Sequence, residues 1–296
     1  MAASFQTVAL FGKQPAEGVV QTVREIGVFL EARGIRVLYE AGLAAALEAP
    51  APAAASLAQL GQEADLAVIV GGDGTMLGIA RELAPHGVPL VGIHSGRLGF
   101  ITDIPLQQWP EALGAVLDGH FVAEDRSVLQ AQVSRDGVEV FEASAVNDVV
   151  VSRSSRAGMI EILVHVDGLY MYSQRADGLI VATPTGSTAY ALSCAGPILH
   201  PTLDGLVLVP VAPQALSNRA IVLPASSVIR MSVIDGREQR VNCDMQTFAD
   251  LHVGDVIEVR RAAYSARFLH PSGYSYYATL RSKLNWHEMP GLAPRA

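Results

Sequence analysis

The sequence predicts an N-terminal doubly wound α/β domain followed by a C-terminal β-sandwich domain, and three observations carry that expectation. Over the first hundred residues, apolar β-branched runs alternate with segments of helical period, which is the pattern of a parallel sheet covered by helices. From Phe121 the texture changes to short alternating segments punctuated by Gly-bearing turns, spaced as in a sandwich. Between these textures, Asp65-Leu66-Ala67-Val68-Ile69-Val70 runs straight into Gly71-Gly72-Asp73-Gly74-Thr75 and on to Met76-Leu77-Gly78-Ile79-Ala80-Arg81, which reads as strand, tight turn and helix.

Taken in order, Thr7 to Leu10 is a short strand, and Glu17 to Arg33 carries Val20, Val23, Ile26 and Leu30 at helical spacing. Gly34 then stands where a helix ends in a left-handed residue, before a strand from Ile35 to Tyr39. Ala44 to Ser56 is a Pro/Ala-rich connector expected to be poorly ordered. Leu57 to Ala64 is a short helix, the helix after the glycine turn reaches Leu83 with Thr75 as its N-cap, and Val88 to Ile93 is the next strand. After it, His94-Ser95-Gly96-Arg97-Leu98-Gly99-Phe100-Ile101-Thr102-Asp103 forms a second glycine-bearing loop at the same sheet edge. Its Arg97 is either a phosphate contact or a solvated cation. Ile104 to Leu117 is a helix with Trp109 on its apolar side.

The second texture contains hairpin signals at Arg135-Asp136-Gly137 and Asp167-Gly168. Strand segments lie at Val128–Val133, Val138–Phe141, Val146–Val151, Ile160–Val166, Leu169–Tyr172, Leu179–Val181, Val207–Val211, Val228–Val233, Arg240–Cys243 and Val256–Arg261. Within them, Thr183-Pro184-Thr185-Gly186-Ser187-Thr188-Ala189-Tyr190-Ala191-Leu192-Ser193 is rich in hydroxyls, with Thr185 or Ser187 available to cap a short helix. Tyr276, Tyr277, Leu280, Leu284 and Trp286 would be an exposed apolar tail unless the last segment returned to the first domain. The expected boundaries are therefore 1–122, completed by 271–296, and 123–270.

Composition narrows the class. The chain has 296 residues, half of them hydrophobic, enough for two cores. Mean hydropathy is +0.30, yet no run of about 18 uncharged apolar residues occurs, so no membrane association is expected. The start, Met1-Ala2-Ala3-Ser4-Phe5, lacks the basic and apolar regions of a signal peptide. Two cysteines, Cys194 and Cys243, form neither a disulfide framework nor a metal-type spacing, which points to a cytoplasmic setting. A net charge of −8 argues against broad contact with nucleic acid.

The glycine turn carries the chemistry. Its outward backbone N–H groups at the positive end of a helix suit a phosphate. A carboxylate there, Asp73, is unfavourable beside phosphate unless it binds a cation or removes a proton. The turn is not a Walker loop, for no G-x-x-x-x-G-K-[ST] occurs, and Gly72, Gly74 and Gly78 are spaced one residue too long for the dinucleotide fingerprint.

Three stretches together resemble the NAD kinase family: Gly71-Gly72-Asp73-Gly74-Thr75, Asn147-Asp148, and Asp177-Gly178 running through Thr183-Pro184-Thr185-Gly186-Ser187-Thr188-Ala189-Tyr190. The resemblance implies ATP-dependent phosphorylation of the 2′-hydroxyl of the adenine-side ribose of NAD, giving NADP. It implies Asp73 as proton acceptor, Gly72 and Gly74 near the donor phosphates, and Mg²⁺ or another divalent cation bridging those phosphates. Asn147 and Asp148 match a pair that grips NAD, with Asp148 one methylene shorter than the family's usual Glu. Arg175 and Asp177, two apart on what reads as one strand, would share a face near the nicotinamide. Thr188, Ala189, Tyr190, Ala191, Leu192 and Ser193 would line the dinucleotide, and Gln246 matches a further contact. His94 and Gly158 depart from the family pattern and receive no role. A homo-oligomer, tetramer or dimer, is implied. Two alternatives remain open: a lipid or sugar kinase sharing only the glycine turn, and a catalytically silent NAD(P)-binding regulator.

Overall fold

A computed structural model describes residues 5–12, 17–47, 54–94, 96, 98–153 and 158–285. Arg97, Trp286 and residues 48–53 of the connector lie outside them. The chain divides into two units, Met1–Glu124 with Ala266–Ala296, and Asp125–Ser265.

In the first unit the strands are β1 (Thr7–Gly12), β2 (Arg36–Glu40), β3 (Ala54–Ala55), β4 (Leu66–Gly71), β5 (Leu90–His94) and β6 (Ile104–Pro105). They form a parallel sheet in the order β3-β2-β1-β4-β5, with β6 beside β5. Helices α1 (Glu17–Glu31), α2 (Ala41–Leu47), α3 (Leu57–Glu63), α4 (Asp73–Leu83) and α5 (Trp109–Leu117) connect and cover it. Alternate residues of β1 face opposite ways, and Val8 and Leu10 join Val23, Ile26 and Leu30 of α1 and Leu113 of α5 in one core. All six residues of β4 are buried, as expected of a strand with both faces covered.

The connector expectation needs correction at both ends: Ala54–Ala55 pairs with β2, and Ser56 caps α3 in a capping box with Gln59. Ala41–Leu47 is a helix whose Leu43, Ala44 and Leu47 are buried. The Glu40 carboxylate accepts from the N–H groups of Gly42 and Leu43, which caps it. The alanines gave no polar signal, and the cap comes from a glutamate at the end of a strand.

The second unit holds most of β7 (Phe121–Arg135), then β8 (Val138–Ala145), β9 (Asp148–Arg153), β10 (Ile160–Val166), β11 (Leu169–Ala176), β12 (Gly178–Ala182), β13 (Gly205–Val211), β14 (Ile221–Pro224), β15 (Ile229–Asp235), β16 (Gln239–Cys243), β17 (Thr247–Leu251) and the first part of β18 (Val256–Pro271). One sheet runs β11-β10-β15-β18, with β7 pairing β18 and β8; the other is six-stranded, β14-β13-β12-β9-β16-β17, and antiparallel throughout. Their inner faces meet in a core of residues such as Val149, Leu179, Leu206 and Val241 from one and Ile162, Met231 and Ile257 from the other. Asp136-Gly137 and Asp167-Gly168 have positive φ at both positions (52° and 79°, 52° and 80°), the mirror-image turns that tight hairpins require. On the far face of the six-stranded sheet, Val150, Ile180, Val207 and Val209 are covered by Ala191 and Leu199, so the hydroxyl-rich segment is fastened there by apolar contacts.

The last segment belongs to the first unit. Phe268 of β18 pairs with Leu90 of β5, and the helix α7 (Tyr276–Leu284) buries Tyr276 and Leu280 while Tyr277 stays exposed.

Candidate functional site

The glycine turn joins the carboxyl end of β4 to α4, where sheets of this type present their ligand sites. Gly72 is the N-cap and α4 begins at Asp73. Thr75 therefore sits inside the first turn and does not cap it. The acidic side chain takes the start of the helix, where the dipole favours negative charge. A Cβ added at Gly72 or Gly74 would meet nothing within 4 Å. Protein packing does not demand glycine at either place.

Asp73 is held firmly by the loop after β5. Its Oδ2 accepts from Phe100 N–H (2.7 Å), and its Oδ1 accepts from Ile101 N–H (3.3 Å), Thr102 N–H (3.2 Å) and the Thr102 hydroxyl (2.9 Å). The loop can approach this closely only because residue 99 is glycine: a Cβ there would stand 1.8 Å from Asp73 Oδ1. Three donors saturate Oδ1, whereas Oδ2 keeps a lone pair for a further proton. Gly99 and Thr102 belong to the second glycine-bearing loop marked in the sequence, whose Arg97 lies outside the described residues. His94 turns its Nδ1 to the Gly96 carbonyl, a loop contact.

A second group of residues is built around Asp244, which the sequence did not single out. Asp244 and Met245 both have positive φ, 53° and 55°, and form the tight turn between β16 and β17. From that turn the Asp244 carboxylate accepts the backbone N–H groups of Val146, Asn147 and Asp148 at 2.8–3.1 Å. Gln246 closes the same turn, its N–H donating to the Cys243 carbonyl. The Asn147 carbonyl packs so tightly on Gly186 that a Cβ there would lie 2.0 Å away. Asp148 itself is 2% exposed, and burial, followed by the charge of Asp244, pushes its carboxyl up to about 7. The Tyr190 phenol and the Cys194 thiol are both pushed up, chiefly by burial, and both feel the Asp148 charge, so these groups are neighbours.

The hydroxyl segment is a short 3₁₀ turn, Gly186–Thr188, leading into a single helical turn, α6 (Tyr190–Ser193). Its capping hydroxyl is neither Thr185 nor Ser187. Thr183 Oγ1 accepts from Gly186 N–H and donates to the Val146 carbonyl, while Ser187 Oγ donates to the Pro184 carbonyl. Thr188 donates to the Thr185 carbonyl, so its hydroxyl braces the turn, whereas the Tyr190 ring is 38% exposed. Ala191 is fully buried beneath it. Arg126, also unremarked in the sequence, is buried on β7 and donates to Thr185 Oγ1. Beyond the turn, a cavity of about 360 Å³ is lined by Cys194, Pro210, Pro213, Leu216 and Asn218.

Arg175 and Asp177 do not share a strand face. Arg175 lies on β11, opposite Glu161, and that strand ends at Ala176. Asp177 already bonds into the other sheet, donating to Val211 O and accepting from Arg153 N–H. The crossing turns at Gly178, where a Cβ would meet the Val151 carbonyl at 2.6 Å. Two residues that alternate along one strand would share a face; these two straddle a change of sheet. The Asp177 carboxylate takes a bidentate pair from Arg153, Nε at 2.7 Å and Nη2 at 3.1 Å. Arg175 is half exposed, 4.0 Å from Asp235. Gly158 has open space around it.

The structure thus gathers Asn147, Asp148, Tyr190 and Cys194 within the second unit, and Asp73 with its glycines and the Gly99–Thr102 loop within the first. Among the described residues, no cluster of three or more His, Cys, Asp or Glu side chains is poised to hold a metal, and no helix is long and apolar enough to cross a membrane.

Residues 8–121 match the ATP-NAD kinase N-terminal domain and residues 146–271 the ATP-NAD kinase C-terminal domain. Over 286 residues the chain is 54% identical to a NAD kinase of Burkholderia thailandensis, covering 97% of this chain and 96% of the relative. A NAD kinase of Paraburkholderia phymatum is 52% identical with 97% and 95% covered. Among solved structures, an Archaeoglobus fulgidus NAD kinase in complex with ATP aligns with a TM-score of 0.73 and 26% identity, covering 95% of this chain and 99% of that one. Yeast NADH kinase complexed with NADH shares the fold at a TM-score of 0.90 and 23% identity, with 98% and 91% covered.

Proposed function

The chain belongs to the ATP-NAD kinase family and phosphorylates NAD to NADP with ATP, and on that premise we propose that Asp73 accepts the proton of the reacting 2′-hydroxyl on the adenine-side ribose. A lipid or sugar kinase sharing only the glycine turn would not match through both domains, so that alternative falls away.

The observation that carries the proposal is the asymmetry of the Asp73 carboxylate: Oδ1 is filled by three donors and Oδ2 by one. A ribose hydroxyl is a weak acid that loses its proton only as the bond to phosphorus forms, so a rigidly aimed oxygen matters more than a strong base. Gly72 and Gly74 receive the donor phosphates on the open face of the turn. Mg²⁺ or another divalent cation fits there as a partner of the phosphate oxygens, supplying the positive charge that a chain of net −8 lacks.

On the acceptor side, Asn147 and Asp148 hold ribose hydroxyls, and Thr188, Ala189, Tyr190, Ala191, Leu192 and Ser193 line the dinucleotide. Gln246 adds a contact from the Asp244 turn. Asp177 accepts from the carboxamide at the nicotinamide end, and Arg175 approaches that end from the other sheet. Arg153, already bonded to Asp177, orients that carboxylate. The working form is a homo-oligomer, tetramer or dimer, in a cytoplasmic setting that suits thiols such as those of Cys194 and Cys243.

The test is Asp73→Asn, assayed with Mg-ATP and NAD and with NADP read by an NADP-specific dehydrogenase. The amide keeps the size of the side chain, so NAD binding should persist while kcat falls by at least roughly 10²-fold. Turnover within a few-fold of the unaltered enzyme would remove Asp73 from the role.

A further inference from the structure

The loop that aims Asp73 is itself gripped from the far end of the chain. His270, near the end of β18, is 1% exposed, and its Nδ1 lies 2.9 Å from Asp103 Oδ2. Asp103 directly follows Thr102, the residue that gives both its N–H and its hydroxyl to Asp73 Oδ1. On the other side of the ring, Nε2 has no hydrogen-bond partner among the described residues and faces Glu124 Oε2 at 3.7 Å. The imidazole is stacked on Tyr274, centroids 3.8 Å apart and planes within 9°. A second contact from the same C-terminal segment reaches the loop, with Lys283 Nζ 5.6 Å from the centre of the Phe100 ring. Phe100 supplies the 2.7 Å bond to Asp73 Oδ2.

We propose that His270 is a positioning residue for phosphoryl transfer. By holding Asp103 it fixes the Gly99–Asp103 loop, and through that loop the carboxylate of Asp73. A buried imidazole has to satisfy its N–H, and Asp103 is the acceptor that does so. Losing that bond releases Asp103, the last anchor of the four-residue stretch whose three N–H groups point at Asp73. A shift of a fraction of an ångström in those donors turns Oδ2 away from the line of attack, which lowers turnover without touching either substrate. His270 thus acts on kcat and leaves both KM values alone. The inference rests on Asp73 being the proton acceptor.

Two variants separate positioning from packing. His270→Phe keeps the ring stacked on Tyr274 and removes the donor to Asp103. His270→Asn removes the ring and puts an amide N–H close to the position of Nδ1. Positioning predicts that His270→Phe loses roughly tenfold in kcat, with KM for NAD and ATP within about twofold, and that His270→Asn recovers to within about threefold of the unaltered enzyme. A packing role predicts the reverse order, and that order would overturn the proposal. Asp103→Asn provides a variant without change at the histidine. It should lower kcat to a similar extent, and the double variant His270→Phe/Asp103→Asn should be no slower than the slower single one. Additive losses, or folded variants with unaltered kcat, refute the link. Asp73→Asn assayed alongside keeps the two readings apart. If it stays active, the acceptor assignment fails; if it is inactive while His270→Phe is normal, only the His270 inference fails.

Discussion

Asp73 and Asp148 are the same chemical group in opposite surroundings. Asp73 stands at a helix start and accepts four hydrogen bonds from one loop. Asp148 is buried beside a second acid, Asp244, and its carboxyl is pushed up to about 7. The donors around Asp73 fix a direction. The surroundings of Asp148 fix a cost of charge, which falls when a ligand brings donors to it. The Asp73 carboxylate is aimed in advance by its donors, whereas that of Asp148 is costly to charge where it stands.

The largest effect expected from breaking this contrast comes from Gly99→Ala. Its methyl group would overlap Asp73 Oδ1, so the loop has to retreat and the donors move with it. We expect kcat to fall on the order of 10²-fold with NAD affinity retained. Equal losses in NAD affinity, measured by calorimetry, would show that the two acids are not independent.

A smaller effect follows from Gly74→Ala, which adds a methyl group where the protein offers no obstacle. Alanine in the first turn of α4 should stabilise the fold by about 0.4–1 kcal/mol. With the donor phosphates placed as proposed, the same methyl group would obstruct their approach, so KM for ATP should rise several-fold. A melting temperature that rises with KM for ATP unchanged would place the donor phosphates elsewhere.

The smallest effect sharpens the Asp148 side. Its folded-state pKa is raised, from the ordinary carboxylate value to about 7, so between roughly pH 4 and 7 the folded chain binds more protons than the unfolded one. Stability from this group is therefore greatest below that window and declines as pH rises through it. Asp148→Asn removes the decline. The melting temperature of the variant relative to the unaltered protein should climb from pH 5 to pH 8 and level off above about 8. A pH-independent difference would show that Asp148 is charged throughout.

Much of this was legible in the sequence where one residue type has one strong physical meaning. The β4 run, the glycine turn, Gly34 after α1 (φ 75°) and the Asp-Gly hairpins were read from local chemistry, and the structure bears them out. What escaped depends on partners distant in the chain. Asp244 binds N–H groups about a hundred residues earlier and has no local signature, and Gly99, though in a loop marked by its glycines, is required by a carboxylate 26 positions away. Arg175 and Asp177 misled for a related reason. Alternation holds within a strand, and only tertiary pairing reveals that the chain changes sheet at Asp177.

The first unit is interrupted in sequence, for residues 125–265 stand between its two parts. Phe268 pairs with Leu90, a ladder contact spanning 178 positions. During synthesis the whole second unit leaves the ribosome before that contact can form, and the bond between Asp103 and His270 forms only after it as well. The order of emergence thus leaves the β5–β18 ladder contact and the Asp103–His270 bond until the second unit has been made, so the first unit completes its own packing last.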